Sequence, residues 1–362
     1  MAKVWWEHRH YYLEWKGRWG ACVHLITETD GVLEETRLLP ADDRLFVTEE
    51  EAKTCNAALV RKWISGVVEQ ANRRSRPVVG TEAVRRRYAE EVCHRAQVHS
   101  PAVRQAFAAV PRERYLGQGP WKTFALHHWT TADDDPWQVY YDVLIEIDPA
   151  REANNGQPSF LAFFIDALEL REGEHVVHVG CGTGYYTAIL AELVGSAGQV
   201  SAIEIDADLV TRARINLADL PQVKVIHADG SEHDPGPAHA IFINAGATHP
   251  RPSWLERLLP SGRLLLPLTA TTPNGSTGGV LKVTRQAGGY TARFISPVTI
   301  FPCLGTRDPE AERRLRESLA HGGGEAVRSL RRDLHELDAT CWLHGDDFCL
   351  SKCEVRQGGD DA

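Results

Sequence analysis

The tightest constraint in this chain is a strand that runs straight into three glycines. His175-Val176-Val177-His178-Val179 is a short apolar run, followed at once by Gly180-Cys181-Gly182-Thr183-Gly184 and by a helical pattern from Tyr185 to Val194. Glycines at the exit of a parallel strand let the backbone come close to a ligand, and the next helix offers unpaired N–H groups. The spacing is selective. The dinucleotide fingerprint Gly-x-Gly-x-x-Gly would need glycine at 185 or 187, where Tyr185 and Thr187 stand, so a nicotinamide dinucleotide is disfavoured. A tight strand–helix turn with no ligand is the plain structural alternative.

The neighbouring segments favour a ligand. Residues 157 to 268 alternate apolar runs with helical patterns, which implies parallel βαβ units. The fold class expected is therefore α/β, with a doubly wound, mostly parallel, Rossmann-like sheet. The second strand, Gln199 to Ile205, carries Glu204 near its carboxyl end, where a carboxylate accepts hydrogen bonds from both ribose hydroxyls. The third, Val223 to His227, ends in Ala228-Asp229-Gly230; the acid suits an adenine amine and the glycine leaves room for the ring. The fourth, Ala240 to Asn244, ends in Asn244-Ala245-Gly246-Ala247, small residues where a transferred group and its acceptor should meet. One such acid alone is more often a solvated strand end. On successive strand ends of one sheet they mark a nucleotide crevice. With the loop spacing they point to S-adenosyl-L-methionine, contacted by His178, Gly180, Cys181, Gly182, Thr183, Gly184, Glu204, Ile205, Asp229, Gly230 and Asn244.

The chain divides into three on the same kind of reading. Residues 1–76 form a small α+β unit: strands over Trp5 to Trp15, Trp19 to Thr27 and Leu33 to Leu39, then a helix opened by Thr48 with Glu51 completing a capping box. Leu59, Val60, Trp63, Ile64 and Val67 recur on one face of that helix, and Asn72 to Pro77 reads as a linker. Residues 77–305 form the α/β domain, with two leading helices separated at Ser100-Pro101 and a late hairpin around Gly288-Gly289. Residues 306–362 form a C-terminal helical and strand extension.

At these residues the sequence resembles the protein-L-isoaspartate O-methyltransferase family, over roughly Ala83 to Gly305. The matching pieces, in order, are Val103 to Phe107 with Val110 to Arg114, Gln157-Pro158-Ser159, Val179 to Gly184, Gly198-Gln199-Val200 leading to Glu204, Asp229-Gly230, Asn244 to Ala247, and Gly262 to Pro267. The resemblance implies an O-methyltransferase that uses adenosylmethionine on a carboxylate of a protein or peptide, of isoaspartyl type. Two departures stand out. The family's hydroxyl before the helix, in Thr-x-Ser-x-Pro, is Gly156 here, which bears on isoaspartyl specificity. The acid that commonly opens the glycine loop is His178, which bears on how the cofactor's amino-acid end is held. Asn155, Gln157 and Ser159 are the candidates to orient the acceptor carboxylate, with helix capping as their structural alternative. A rate limited by alignment and water exclusion needs no strong base, because an ionised carboxylate is already nucleophilic.

Composition limits the rest. The 362 residues carry a formal charge of −9, which disfavours nucleic acid and anionic membrane as general partners. No segment reaches the ~20 apolar residues of a membrane-spanning helix, and no signal peptide is evident. Eight cysteines spread along such a chain read as reduced thiols in the cytoplasm. Cys341, His344, Cys349 and Cys353 have ligand chemistry but irregular spacing, and His127, His128 and Asp133 to Asp135 only suit a hard cation; no metal is expected. His249 is a weaker candidate for the acceptor pocket. A small-molecule methyltransferase on the same scaffold and a non-catalytic adenosylmethionine-binding protein are the alternatives. The oligomeric state is open.

Overall fold

The computed structural model describes residues 3–13, 18–29, 32–38, 48–55, 81–124, 128–131, 134–151, 153–272 and 275–355. The predicted face from Leu59 to Val67, the linker at 72–77, His127 and Asp133 lie outside them. The chain forms two units, one of Met1–Gly80 with Thr130–Asp134 and one of Thr81–Trp129 with Asp135–Ala362.

The first unit contains an antiparallel sheet of β1 (Lys3–Leu13), β2 (Arg18–Thr29) and β3 (Val32–Leu38) in that order. Helix α1 follows, with residues 49–55 described. Its capping box is formed: the Thr48 N–H donates to Glu51 Oε2 at 3.1 Å and the Glu51 N–H donates to Thr48 Oγ1 at 3.3 Å.

The second unit opens with α2 (Thr81–Ala96) and α3 (Pro101–Ala109); Ser100 caps α3 by accepting from the Val103 N–H. Short strands β4 (Lys122–Phe124), β5 (His128–Thr130, its last residue grouped with the first unit), β6 (Leu144–Asp148) and β7 (Ala153–Asn154) precede α4 (Pro158–Ala167). The pattern then becomes regular: β8 (His175–Val179), α5 (Tyr185–Val194), β9 (Gln199–Glu204), α6 (Ala207–Asn216), β10 (Val223–His227), β11 (Ala238–Ile243), α7 (Pro252–Arg257) and β12 (Leu258–Thr272). The hairpin β13 (Gly275–Gln286) and β14 (Gly289–Thr299) follows, then α8 (Pro309–His321), β15 (Ser329–Arg331), β16 (Cys341–His344) and β17 (Cys349–Ser351).

These strands form one ten-stranded sheet in the order β10-β9-β8-β11-β12-β13-β14-β15-β17-β16. The first five are parallel and the rest antiparallel. The chain steps outward from β8 through β9 to β10, then returns to the other side of β8 with β11. That reversal opens a crevice at the carboxyl ends of β8 and β11, where ligands of open α/β sheets bind. The extension at 306–362 contributes its strands to this same sheet.

Alternation along the strands sends residues to two cores, as period two demands. Val176, Val200, Ala202 and Phe242 pack under α2 to α5; Val177, Val179, Ile203 and Ile241 pack with Trp254 of α7 and Leu315 of α8. The sheet is thus covered on both faces. Tyr88, Phe107, Tyr115, Tyr185 and Tyr186 form an aromatic cluster that fixes α5 against the two leading helices.

Arg263 on β12 ties the bottom of the sheet. Its guanidinium donates to the carbonyls of Leu168, Glu169 and His239 and pairs with both oxygens of Glu174 at 2.9 and 2.7 Å. Burial alone would raise the Glu174 carboxyl, but Arg263 and the Arg171 N–H outweigh it and hold it below its ordinary 4.5. A depressed carboxyl contributes stability that is present above the unfolded value and lost as pH falls through the folded one. Arg263→Met is therefore expected to cost about 3 kcal/mol near neutral pH, and the gap from wild type should narrow on acidification below 4.5. Urea unfolding of both proteins at neutral and acid pH checks this; a gap independent of pH would remove Glu174 from the account.

Candidate functional site

All three loop glycines adopt left-handed backbone, with φ of +77° at Gly180, +56° at Gly182 and +98° at Gly184. That alternation is open to glycine and strained for other residues. Two of them are also packed closely. A Cβ at Gly180 would meet the Asn244 carbonyl oxygen at 3.4 Å, and one at Gly184 would meet Leu217 Cδ1 at 2.7 Å. The loop is fixed from behind: the N–H groups of Gly180 and Cys181 both donate to the Ile203 carbonyl, and Asn216 donates to the Thr183 carbonyl at 2.9 Å.

Glu204 is buried, and its carboxylate accepts from three backbone N–H groups. Oε2 takes Gly182 at 2.8 Å, while Oε1 takes Ile205 at 3.0 Å and Asp206 at 3.2 Å. A carboxylate oxygen has about two acceptor sites, so Oε1 is filled and Oε2 keeps one. The expectation of a contact to both ribose hydroxyls becomes room for one on Oε2. Beside it the Ile205 side chain is 46% exposed, an apolar surface of the kind a base can lie on.

Asp229 accepts from the Ser231 N–H at 2.8 Å through Oδ1. Packing alone requires glycine at 230: a Cβ there would collide with Val179, and the Gly230 carbonyl accepts from the Trp254 indole at 2.9 Å. Its glycine serves packing against β8. Gly305 comes from far along the sequence to the same place. A Cβ on it would run into the Asp229 carboxylate and the Ser231 hydroxyl, and its carbonyl accepts from Ser231 Oγ at 3.0 Å. No motif flagged Gly305.

The exit of β11 is likewise more crowded than its small residues suggested. The Asn244 N–H donates to Val179, Gly246 donates to Phe301 and accepts from Cys303, and Ala247 bonds with Pro267 and Thr269. A Cβ at Gly246 would collide with Thr269 Oγ1. These residues are small because three chain segments meet there. His249 hydrogen-bonds Thr248 and, with Arg251 and Gly305, lines a cavity of about 470 Å³ whose other wall is formed by residues 343–348.

His178, Cys181 and Thr183 are buried. The His178 ring stacks on Phe242 at 5.2 Å and its Nδ1 bonds Thr187 Oγ1 at 2.9 Å. Burial lowers its pKa to about 3, so the side chain is neutral and gives no charge to attract an ammonium group, unlike the acid usual at this position. Burial pushes the Cys181 thiol far above its usual range.

The acceptor-side candidates prove to be a built network. Arg112, fully buried, donates to the carbonyls of Val139, Tyr141 and Val143 at 2.6 to 2.7 Å and to Asn155 Oδ1 at 3.2 Å. Asn155 Oδ1 also accepts from the Ile145 N–H. Asn155 therefore holds the approach to α4 and does not cap it. The cap comes from outside the helix: Asp142 accepts from Ser159 N at 2.8 Å, from Ser159 Oγ at 2.7 Å and from Gln157 Nε2 at 3.3 Å. Ser159 is thus committed to Asp142, while Gln157 is exposed and keeps a second amide hydrogen. Sequence reasoning missed Arg112 and Asp142, although Arg112 stands in the quoted Val110 to Arg114 piece.

Residues 88–293 match the family described as protein-L-isoaspartate(D-aspartate) O-methyltransferase. The chain is 28% identical over 225 residues to a protein-L-isoaspartate O-methyltransferase of Methanothermobacter thermautotrophicus, covering 61% of this chain and 95% of that one. It is 32% identical over 226 residues to protein-L-isoaspartate O-methyltransferase 2 of an Anaeromyxobacter species, covering 61% and 83%. A solved protein-L-isoaspartate O-methyltransferase structure matches with a TM-score of 0.50 at 20% identity, over 67% of this chain and 72% of that one, a likeness of fold.

Gly156, where the resemblance leads one to expect serine, has φ +75°, and a Cβ would lie 3.0 Å from Leu161 Cδ2. Gly156→Ser thus forces a left-handed serine against a buried leucine. It is expected to destabilise the protein by ~1–2 kcal/mol and not to raise any methyl-transfer rate. Thermal unfolding and rate measured on the same preparation check this, and a faster variant of unchanged stability would overturn it.

Proposed function

The chain belongs to the protein-L-isoaspartate(D-aspartate) O-methyltransferase family and is an S-adenosylmethionine-dependent methyltransferase; from this premise we propose that it methylates an isoaspartyl-type carboxylate on a protein or peptide. The observation that carries the donor side is the Glu204 carboxylate, buried yet keeping one acceptor site beside the left-handed glycine loop. The residues present fit the donor: Glu204 Oε2 for a ribose hydroxyl, Ile205 for a face of the base, Asp229 for its amine, and the N–H groups behind Gly184 for the polar end. When bound, adenosylmethionine supplies a methyl group on a sulfonium, ready for in-line transfer.

The chain's own task is then to position the acceptor and exclude water. Effective molarities of ~10⁵ M or more are available from alignment alone. Gln157 is the exposed donor at the start of α4, and Asp142 sets its angle through the bond to Nε2. With glycine at 156 the acceptor carboxylate lacks the family's hydroxyl. A missing donor costs ~1–3 kcal/mol, so a generic isoaspartyl peptide should react about ten- to a hundredfold more slowly than a preferred acceptor. Among the described residues no helix is long and apolar enough to cross a membrane. The cytoplasm is the setting we propose, supported by the free thiols of the described cysteines.

Transfer of labelled methyl from adenosylmethionine to an isoaspartyl peptide and to its normal aspartyl twin tests the reading. Base-labile label on the isoaspartyl peptide alone is expected, with kcat/KM below the ~10⁴ M⁻¹s⁻¹ of well-matched pairs. Base-stable label, or equal label on both peptides, would overturn it. On the donor side, Glu204→Ala should weaken adenosylmethionine binding by ~2 kcal/mol or more, since a hydroxyl loses a charged acceptor and the Gly182 N–H its partner. Isothermal titration of a folded variant with unchanged affinity would place Glu204 outside the site.

A further inference from the structure

Away from the crevice, at the far edge of the sheet, four residues converge that the sequence spacing did not group. His335, Cys341, His344 and Cys349 each present one ligand atom, and these atoms all lie within 4.8 Å of one another. Cys353, the fourth member suggested by spacing, is exposed and not part of the cluster. We propose that these four residues bind one Zn²⁺ ion.

The fold explains how they meet. His344 and Cys349 are direct partners across the antiparallel pair β16 and β17. Cys341 is three residues before His344, and in a regular strand the two would point to opposite faces. An irregularity between Cys341 and Leu343 shifts the register, and such bulges re-aim side chains. His335 arrives from the segment between β15 and β16. Leu334 and Leu337 on either side of it are 96% and 71% exposed, so that stretch is not held by leucines buried in the core.

The chemistry of each group suits a ligand. His335 Nδ1 lies 2.8 Å from the Asp333 carbonyl, which only accepts, so the proton is on Nδ1 and Nε2 carries a lone pair. That lone pair is 3.6 Å from Cys341 Sγ. Such an outer bond is the usual way a metal-binding histidine is oriented. His344 Nδ1 is buried with no hydrogen-bond partner among the described residues. Arg331 Nη2 is 3.7 Å from Cys341 Sγ and 3.9 Å from Cys349 Sγ, and the Asp338 N–H is 3.5 Å from Cys341 Sγ. Both sulfurs thus lie within reach of N–H donors. Zn–S bonds of about 2.3 Å and Zn–N bonds of about 2.0 Å imply ligand separations of about 3.3–3.8 Å in a tetrahedron. The His335–Cys341 pair is already in that range, and a contraction within the cluster completes the rest. Two thiolates balance the charge of the ion, and binding releases their two protons. Buried neutral thiols would account for Cys349 alone, but not for two imidazoles aimed at the same point.

The full-length chain, reduced and stripped with a chelator, is titrated with Co²⁺ and then Zn²⁺. Expected are the intense ligand-field bands of tetrahedral cobalt with a thiolate charge-transfer band in the near ultraviolet, lost as zinc displaces cobalt. Cys349→Ser and His335→Ala should weaken zinc binding at least about tenfold, and Cys353→Ser should not. The wild-type spectrum decides even if a variant fails to fold: weak octahedral bands, or no thiolate band, overturn the proposal. So does a loss of metal in Cys353→Ser equal to that in Cys349→Ser.

Discussion

Everything at the crevice depends on one carboxylate binding backbone. Glu204 ends β9, and it holds Gly182 in the middle of a loop with three successive left-handed glycines. A loop with that much freedom loses considerable entropy on ordering. The carboxylate supplies a charge-assisted bond that holds the middle of the loop. Its other oxygen fixes the turn into α6 through Ile205 and Asp206. The second strand, the glycine loop and the following helix are thereby set by a single side chain.

The start of α4 is organised by a second pair of charges, Arg112 and Asp142, neither exposed. Arg112 collects three carbonyls from residues 139–143 and the Asn155 amide oxygen, which brings an irregular stretch against the start of α4. Asp142 from that same stretch then caps the helix. A buried guanidinium is costly unless its donors are used; here it gives defined shape to a segment that has little regular structure. The positions next to Gly156 are therefore scaffold first, with Gln157 the one that faces out.

The parallel half of the fold was legible because strand and helix periods are local. β8 and β10 run over the residues their apolar patterns marked, and Glu204 and Asp229 fall at the strand ends expected of them. Partners were not legible. Nothing local in the sequence tells that Asp142 caps α4, that Gly305 abuts Asp229, or that Gly230 is small for the sake of Val179. Those are contacts between residues far apart in the chain. The C-terminal ligand cluster shows the same limit: Cys341, His344 and Cys349 could be named from chemistry, but the register shift that re-aims Cys341 is a property of pairing, and His335 joins from the segment between β15 and β16. The serine expected before α4 is a different case, because the left-handed backbone at Gly156 and the closeness of Leu161 exist only in the folded chain.

The approach of Gly305 to Asp229 has a consequence for how variation in this protein should be read. Position 305 belongs to no nucleotide motif and is separated by 75 residues of chain from Gly230, so a sequence comparison would score a change there as remote. Any side chain at 305 nevertheless displaces the Asp229 carboxylate or the Ser231 hydroxyl. In a genetic screen such alleles would group with those of the crevice itself, and a compensating change would be found at Asp229 or Ser231 rather than beside position 305 in the sequence.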